Sequence, residues 1–313
     1  MPNNQAKHLA HGAMMIAMFT VLIAISYFVP FLSVLTIFLT PLPIAWYSAT
    51  YDRSKSILVT IAAVLLPLFF GGPMLMLLAF IMGIAGYTIG FAIRTKKSKL
   101  YLFMSTSISL LGTGTLLYLL SVQFLQINII NDSLELTKKN YIEAMERAEN
   151  LTGQAAFTLQ EINQIFDMLV TITPAVFILF VFVLSFILIS VNLPLLKKLK
   201  ISIPTFPKFA TLRMPRPLLW WYLIVLTVQL LVRPEVGTAL YVIVLNFSVI
   251  LWVLLTLQGI AFLYYVIEEK QLPSFLKVVV AFASIPLYSF VLLLGVFDIG
   301  FNIRKLVSDK KDS

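Results

Sequence analysis

The sequence contains no cysteine, which excludes disulfides, thiolate catalysis and every metal site built on cysteine. Histidine is almost as rare. His8 and His11 are the only two, both at the mouth of the first apolar run, too few for a metal site and with no carboxylate near them in sequence. Charge is scarce too: 12% of residues are charged, against about 25% in an ordinary soluble domain. No phosphate-binding loop, nucleophile elbow or pair of carboxylates within an apolar run is present. The chain is therefore not expected to be an enzyme, and it calls for no metal and no cofactor.

What fills the chain instead is hydrocarbon. Hydrophobic residues make up 60% of it, and apolar runs recur along its whole length. A helix needs about 20 mostly apolar residues to cross the roughly 30 Å hydrocarbon layer. The pattern predicts an all-α polytopic membrane bundle of eight or nine spans. The first six cover residues 11–29, 31–51, 57–70, 74–93, 100–125 and 169–196, and further apolar runs cover 218–232, 237–267 and 278–297. The second is interrupted by Pro41 and Pro43 and the third is closed by Gly71-Gly72-Pro73. Proline frees backbone carbonyls, which a membrane tolerates only under protein or beside a water cavity, so the second span is expected not to face lipid all round.

Net charge is +9, but the bases sit where apolar runs end, which argues for membrane topology rather than nucleic acid. Clusters at Arg94, Lys96, Lys97 and Lys99 and at Lys197, Lys198 and Lys200 are expected on the cytoplasmic side of a cell membrane, with the amino terminus. That terminus has no convincing small-residue cleavage site, so the first run reads as a retained helix. Residues 200–217 read as a basic, proline-rich cytoplasmic loop, and 218–313 as carboxy-terminal helices and a basic tail. Three full crossings after the loop would put Arg304, Lys305, Lys310 and Lys311 outside, against the charge bias; a re-entrant segment at 218–232 would return them inside.

Residues 126–168 differ from their surroundings. From Gln126 to Asp167 there are seven acids against three bases, which places the stretch outside. Leu134, Tyr141, Ala148, Ala155, Ile162 and Leu169 recur every seven positions, with Met145, Leu159 and Phe166 on the same face. That spacing predicts helix, broken at Gly153, serving either as a cap over a cavity or as amphipathic helices that lie on the headgroups or pack together.

In lipid, small residues four apart let helix backbones approach. Ala13 and Ala17 form one such face and Gly83, Gly86 and Gly90 another; either packs internally or docks a second subunit. Gln123, Asn128 and Asn192 are candidate solute-pocket residues, since a buried amide needs partners that a solute can supply. Asp298, Arg233 and Glu235 lie close to the ends of apolar runs and read as interfacial.

Together these features carry a resemblance. A small-residue first helix ending in Pro30, then Leu42-Pro43-Ile44-Ala45 before Arg53 and Lys55, a third helix closed by glycines and a glycine-stepped fourth resemble the substrate-binding S components of energy-coupling-factor vitamin transporters. The whole chain more closely resembles the YybS-like family of bacterial multi-pass membrane proteins of unassigned function. The likeness to S components covers about residues 6–199 and implies a six-helix core over 1–199, with a small-molecule solute pocket opening outward. It also implies docking through Ala13 and Ala17 onto a transmembrane scaffold partner driven by separate ATPases; no ATP site is present in this chain. The acidic insertion and the added carboxy-terminal spans depart from that pattern. The alternative is a non-transporting scaffold in an envelope or signalling assembly. In either case membrane lipid is a further partner expected, and the basic loop offers a surface for anionic lipid or a soluble partner.

Overall fold

The computed structural model describes residues 2–153, 157–204, 208–301 and 303–308, which are helical with short connections and contain no strand. Helix α1 spans Pro2–Phe28, α2 Pro30–Leu39, α3 Pro41–Thr50, α4 Arg53–Leu65, α5 Leu68–Arg94 and α6 Lys99–Leu125. Then come α7 Ile129–Thr152, α8 Leu159–Lys198, α9 Pro217–Thr227 with a π turn at Val228–Val232, α10 Ala239–Glu269, α11 Phe275–Ala283, α12 Tyr288–Phe301 and α13 Arg304–Ser308.

Among the described residues, six helical segments are long and apolar enough to cross a bilayer: Ala6–Phe28, Pro30–Thr50, Leu68–Arg94, Lys99–Phe124, Leu159–Lys198 and Ala239–Glu269. A seventh is added if α11 and α12, bent by 110° at their junction, count as one broken span. The expected eight spans are then reached by counting one short helix as well, and nine by counting two, α4 with 13 residues and the apolar segment Pro217–Val232. At 1.5 Å per residue α4 measures only about 20 Å. Its helical backbone carries on through Leu66 and Pro67, both right-handed, and the break comes at Gly72, within the Gly71-Gly72-Pro73 sequence expected to close the helix, where the kinked α5 passes into its long arm. Gly72 absorbs that passage with φ +67°, a conformation open to a residue without Cβ.

The chain folds as two compact units. The first comprises 1–137 and 178–205, the second 138–177 and 206–313. The expected boundary put all of 1–199 in one core; instead residues 138–177 join the carboxy-terminal helices. A physical tie explains this. Pro174 lacks the donor that would continue the α8 hydrogen-bond ladder, and Asn246 of α10 supplies an amide at that point: its Oδ1 accepts from Ala175 N at 2.8 Å and its Nδ2 donates to Thr171 O at 2.8 Å.

Unit 1 is built around α3 against α5. A methyl group at Gly86 would lie 2.6 Å from the Pro41 carbonyl oxygen, and one at Gly90 would lie 2.3 Å from that of Ala45. No side chain fits there, and the two helices meet backbone to backbone. Ala45, Ile89, Ile93, Leu102, Ile189 and Leu193 fill the core where α3, α5, α6 and the end of α8 converge.

Unit 2 is organised on α10, which packs α12 closely at Gly259 and Gly295; a methyl group on Gly259 would lie 1.9 Å from the Val291 carbonyl oxygen. The acidic stretch forms α7, ends at Gly153 with φ +69°, and resumes as α8 behind Thr158. Thr158 and Glu161 bond reciprocally, Thr158 N to Glu161 Oε2 at 2.8 Å and Glu161 N to Thr158 Oγ1 at 3.3 Å, a capping box. Ile162 and Phe166 are buried, and the Phe166 ring meets Tyr141 at 6.3 Å, so the sevenfold face packs helix to helix. Ala155 of that series lies outside the described residues.

Candidate functional site

A cavity of about 410 Å³ lies in unit 1 between α4, α5 and α6. Val64 and Leu65 of α4, Met76 and Phe80 of α5, and Leu117 and Leu120 of α6 line it. Thr60 is its one polar residue, and that hydroxyl donates to Ser56 O at 2.8 Å. The walls therefore offer a ligand dispersion contacts and hydrophobic burial with no fixed hydrogen-bond partner, the chemistry of a site for hydrocarbon. Leu65 and Leu120 are half-exposed at its rim. Counting 1.5 Å per residue from Arg53, Arg94 and Lys99, the lining begins about 10–25 Å from the basic ends of the three helices, at hydrocarbon depth.

The residues picked from sequence for a polar pocket stand elsewhere. Gln123 is exposed near the end of α6. Asn128 is a cap: its Oδ1 accepts from Asn131 N and from the Tyr118 hydroxyl, each at 3.2 Å. Asn192 is fully buried, and its Nδ2 donates to Leu188 O at 2.7 Å and, across to α2, to Phe38 O at 2.9 Å. Its Oδ1 has no hydrogen-bond partner. None of the three lines the cavity. Ala13 and Ala17 lie on an exposed face of α1, opposite buried Met15, Phe19 and Ile23. Gly83, Gly86 and Gly90 face inward, Gly83 against Val64 and the other two against α3.

Two polar constellations escaped sequence reasoning. At the basic end of unit 1, α1 meets the α3–α4 turn: the Tyr51 hydroxyl bonds His11 Nδ1, and Lys55 Nζ bonds His8 Nδ1 at 2.7 Å. The Arg94 guanidinium donates to the Tyr51 carbonyl, and burial pushes the pKa of the Tyr51 hydroxyl above its ordinary value. The partners are some 40 residues apart, which no local pattern reveals. Among the described residues, no three histidines or carboxylates gather to hold a metal.

In unit 2, Asp298, read from sequence as interfacial, is buried against Arg304. The guanidinium donates Nε to both carboxylate oxygens, at 3.1 and 2.9 Å, and Nη2 to Oδ2 at 2.8 Å; both side chains are 2% exposed. Gln258 Nε2 adds a bond to Oδ2 at 2.6 Å, and the Arg304 guanidinium lies 5.2 Å from the Tyr265 ring centre. An aspartate within an apolar run, with an arginine six residues on and a lone glutamine in the longest apolar helix nearby, was the available signal. Arg233 is exposed beyond the π turn, and Glu235 accepts from Thr238 only through its carbonyl.

The family description "Predicted membrane protein (DUF2232)" matches residues 17–299, nearly the whole described bundle. The chain belongs to that DUF2232 family. A relative of this DUF2232 chain, the uncharacterized protein YybS of Bacillus subtilis (strain 168), is 26% identical over 310 residues, covering 97% of this chain and 99% of its own length. No solved structure matches the DUF2232 chain. It is a multi-pass helical membrane protein, and the match covers most of both units.

Proposed function

We propose that this protein is a solute-binding, transport-related membrane subunit, that its solute is apolar, and that it works without an ATPase or catalytic site of its own. The observation that carries the reading is the cavity between α4, α5 and α6, about 410 Å³ in volume and without an available polar group. A hydrophilic vitamin would be left with unmatched donors and acceptors there, whereas an acyl or isoprenoid-like chain would not. The exposed Ala13 and Ala17 face of α1 supports a second element of the reading, docking to a transmembrane scaffold, since small residues let a partner helix approach. The bases at Arg94 to Lys99 favour a cell-membrane topology with the amino terminus cytoplasmic. The rival role, a non-transporting scaffold, draws on the same alanine face and on the acidic α7, and has no use for the cavity.

The test is mass spectrometry of apolar molecules retained by protein purified in mild detergent, wild type against Leu117→Trp, which fills the cavity from α6. Retention of a defined apolar molecule by wild type and its loss in a Leu117→Trp protein of unchanged thermal stability is the expected result. Equal retention by both, or none by either, would defeat the solute-binding reading.

A further inference from the structure

In unit 2, the connection before α9 is held with unusual completeness. Arg304 donates Nη1 to Ala210 O and Nη2 to Leu212 O, both at 2.8 Å. Met214 N donates to Gln258 Oε1 at 2.9 Å. The Phe209 ring sits edge-on to Tyr264 at 5.4 Å, and Lys208 Nζ lies 3.7 Å from Glu268 Oε2. Every second residue from 208 to 214 is thus fixed, and two of the partners, Arg304 and Gln258, are buried and themselves joined through Asp298. Between and just beyond these pins stand Arg213 and Arg216, both exposed, in a stretch with no acidic residue. One turn further on, Trp220 and Trp221 are 66% and 55% exposed on α9.

The depth of this platform follows from α10. Helix α9 packs along it with Leu218 near Leu255 and Val225 near Val244 and Leu251, so the two run antiparallel. One end of α10 begins at Ala239, beyond the polar Arg233, Glu235 and Thr238. About 20 residues of helix cross the hydrocarbon, and 20 residues on from Ala239 comes Gly259, beside the Gln258 that holds Met214. Arg213 and Arg216 therefore stand at headgroup level, and the two tryptophans just beneath it, where amphipathic rings settle.

We infer that Arg213 and Arg216 form a binding site for the phosphate of an anionic phospholipid, with Trp220 and Trp221 against its glycerol and upper acyl region. Guanidinium forks grip phosphate oxygens in pairs. The Asp298–Arg304–Gln258 network fixes the loop before the lipid arrives, so little conformational freedom is lost on binding. This site is in a different unit from the apolar cavity and stands or falls separately from it.

The experiment places the full chain in nanodiscs of phosphatidylcholine and phosphatidylglycerol in equal parts and counts lipids retained on release by native mass spectrometry. Wild type is expected to enrich phosphatidylglycerol. Arg213→Gln with Arg216→Gln should lose about tenfold of that preference, as the loss of charge-assisted hydrogen bonds implies, while Arg233→Gln at the other end of α10 keeps it. If the double variant does not fold, each single variant is measured against Arg233→Gln in the same way. Undiminished enrichment in the glutamine variants, an equal loss in Arg233→Gln, or displacement of the lipid by millimolar inorganic phosphate would each overturn the assignment.

Discussion

Replacing Arg304 by methionine tests the unit 2 network directly. The guanidinium makes five hydrogen bonds, three to Asp298 and one each to the carbonyls of Ala210 and Leu212. With Arg304 gone, Asp298 keeps only Gln258 in a site 2% exposed, and two carbonyls lose their donor. Removing one partner of a buried pair costs about 3–5 kcal/mol, chiefly because a charge is left uncompensated. Asp298→Leu removes that charge, so Arg304→Met combined with Asp298→Leu should be more stable than Arg304→Met alone. Recovery should be partial: the Ala210 and Leu212 carbonyls and one Gln258 donor remain unpaired, at about 1–3 kcal/mol for each that stays dry. The assay is unfolding of the four proteins of the cycle in one detergent, with the coupling taken from the double difference. If Arg304→Met is as stable as wild type, or the double variant loses the sum of the two single losses, the network is not a coupled buried pair and the argument fails.

Three further expectations follow from packing in the two units. Gly90→Ala puts a methyl group 2.3 Å from the Ala45 carbonyl oxygen, so it should destabilise unit 1 by about 1–3 kcal/mol in detergent unfolding; a neutral effect would mean that α3 and α5 are not in backbone contact. Asn246→Leu removes both bonds to the helix turn around Pro174 and should increase hydrogen exchange at Ala175 amide, with unchanged protection counting against the tie. Ala13→Leu with Ala17→Leu should leave thermal stability within about 0.5 kcal/mol, as exposed sites do, yet abolish co-purification of a transmembrane partner; an intact complex would refute that docking role.

Membrane helices were legible in the sequence because each is written locally, in consecutive residues whose hydropathy does not depend on neighbours. The Gly86 and Gly90 face and the Gly153 break were legible for the same reason: the absence of Cβ is a property of the residue itself. What each helix presents to its neighbours was less so. Met15, Phe19 and Ile23 turn inward on α1 while Ala13 and Ala17 turn out, a choice made by α3 and α4 rather than by α1. The burial of Asp298 was not legible because its compensation comes from Arg304 and Gln258, one six residues on and the other 40 residues away. Polar residues were expected to mark the ligand site, and Asn128 instead caps α7 while the Asn192 amide nitrogen bonds backbone, and the cavity is drawn by leucines and phenylalanine that hydropathy alone cannot tell from lipid-facing ones.

The stitch between Asn246 and the Pro174 region has a consequence for how the chain is made. Synthesis delivers α8 to the bilayer some 70 residues before the asparagine that completes it. Until α10 enters, the Thr171 carbonyl and Ala175 amide lack that partner beside Pro174, a state that favours lateral waiting beside the insertion machinery over free diffusion. Chains ending before residue 246 should therefore be preferred substrates for membrane quality-control proteolysis, and those ending just after α10 should be spared.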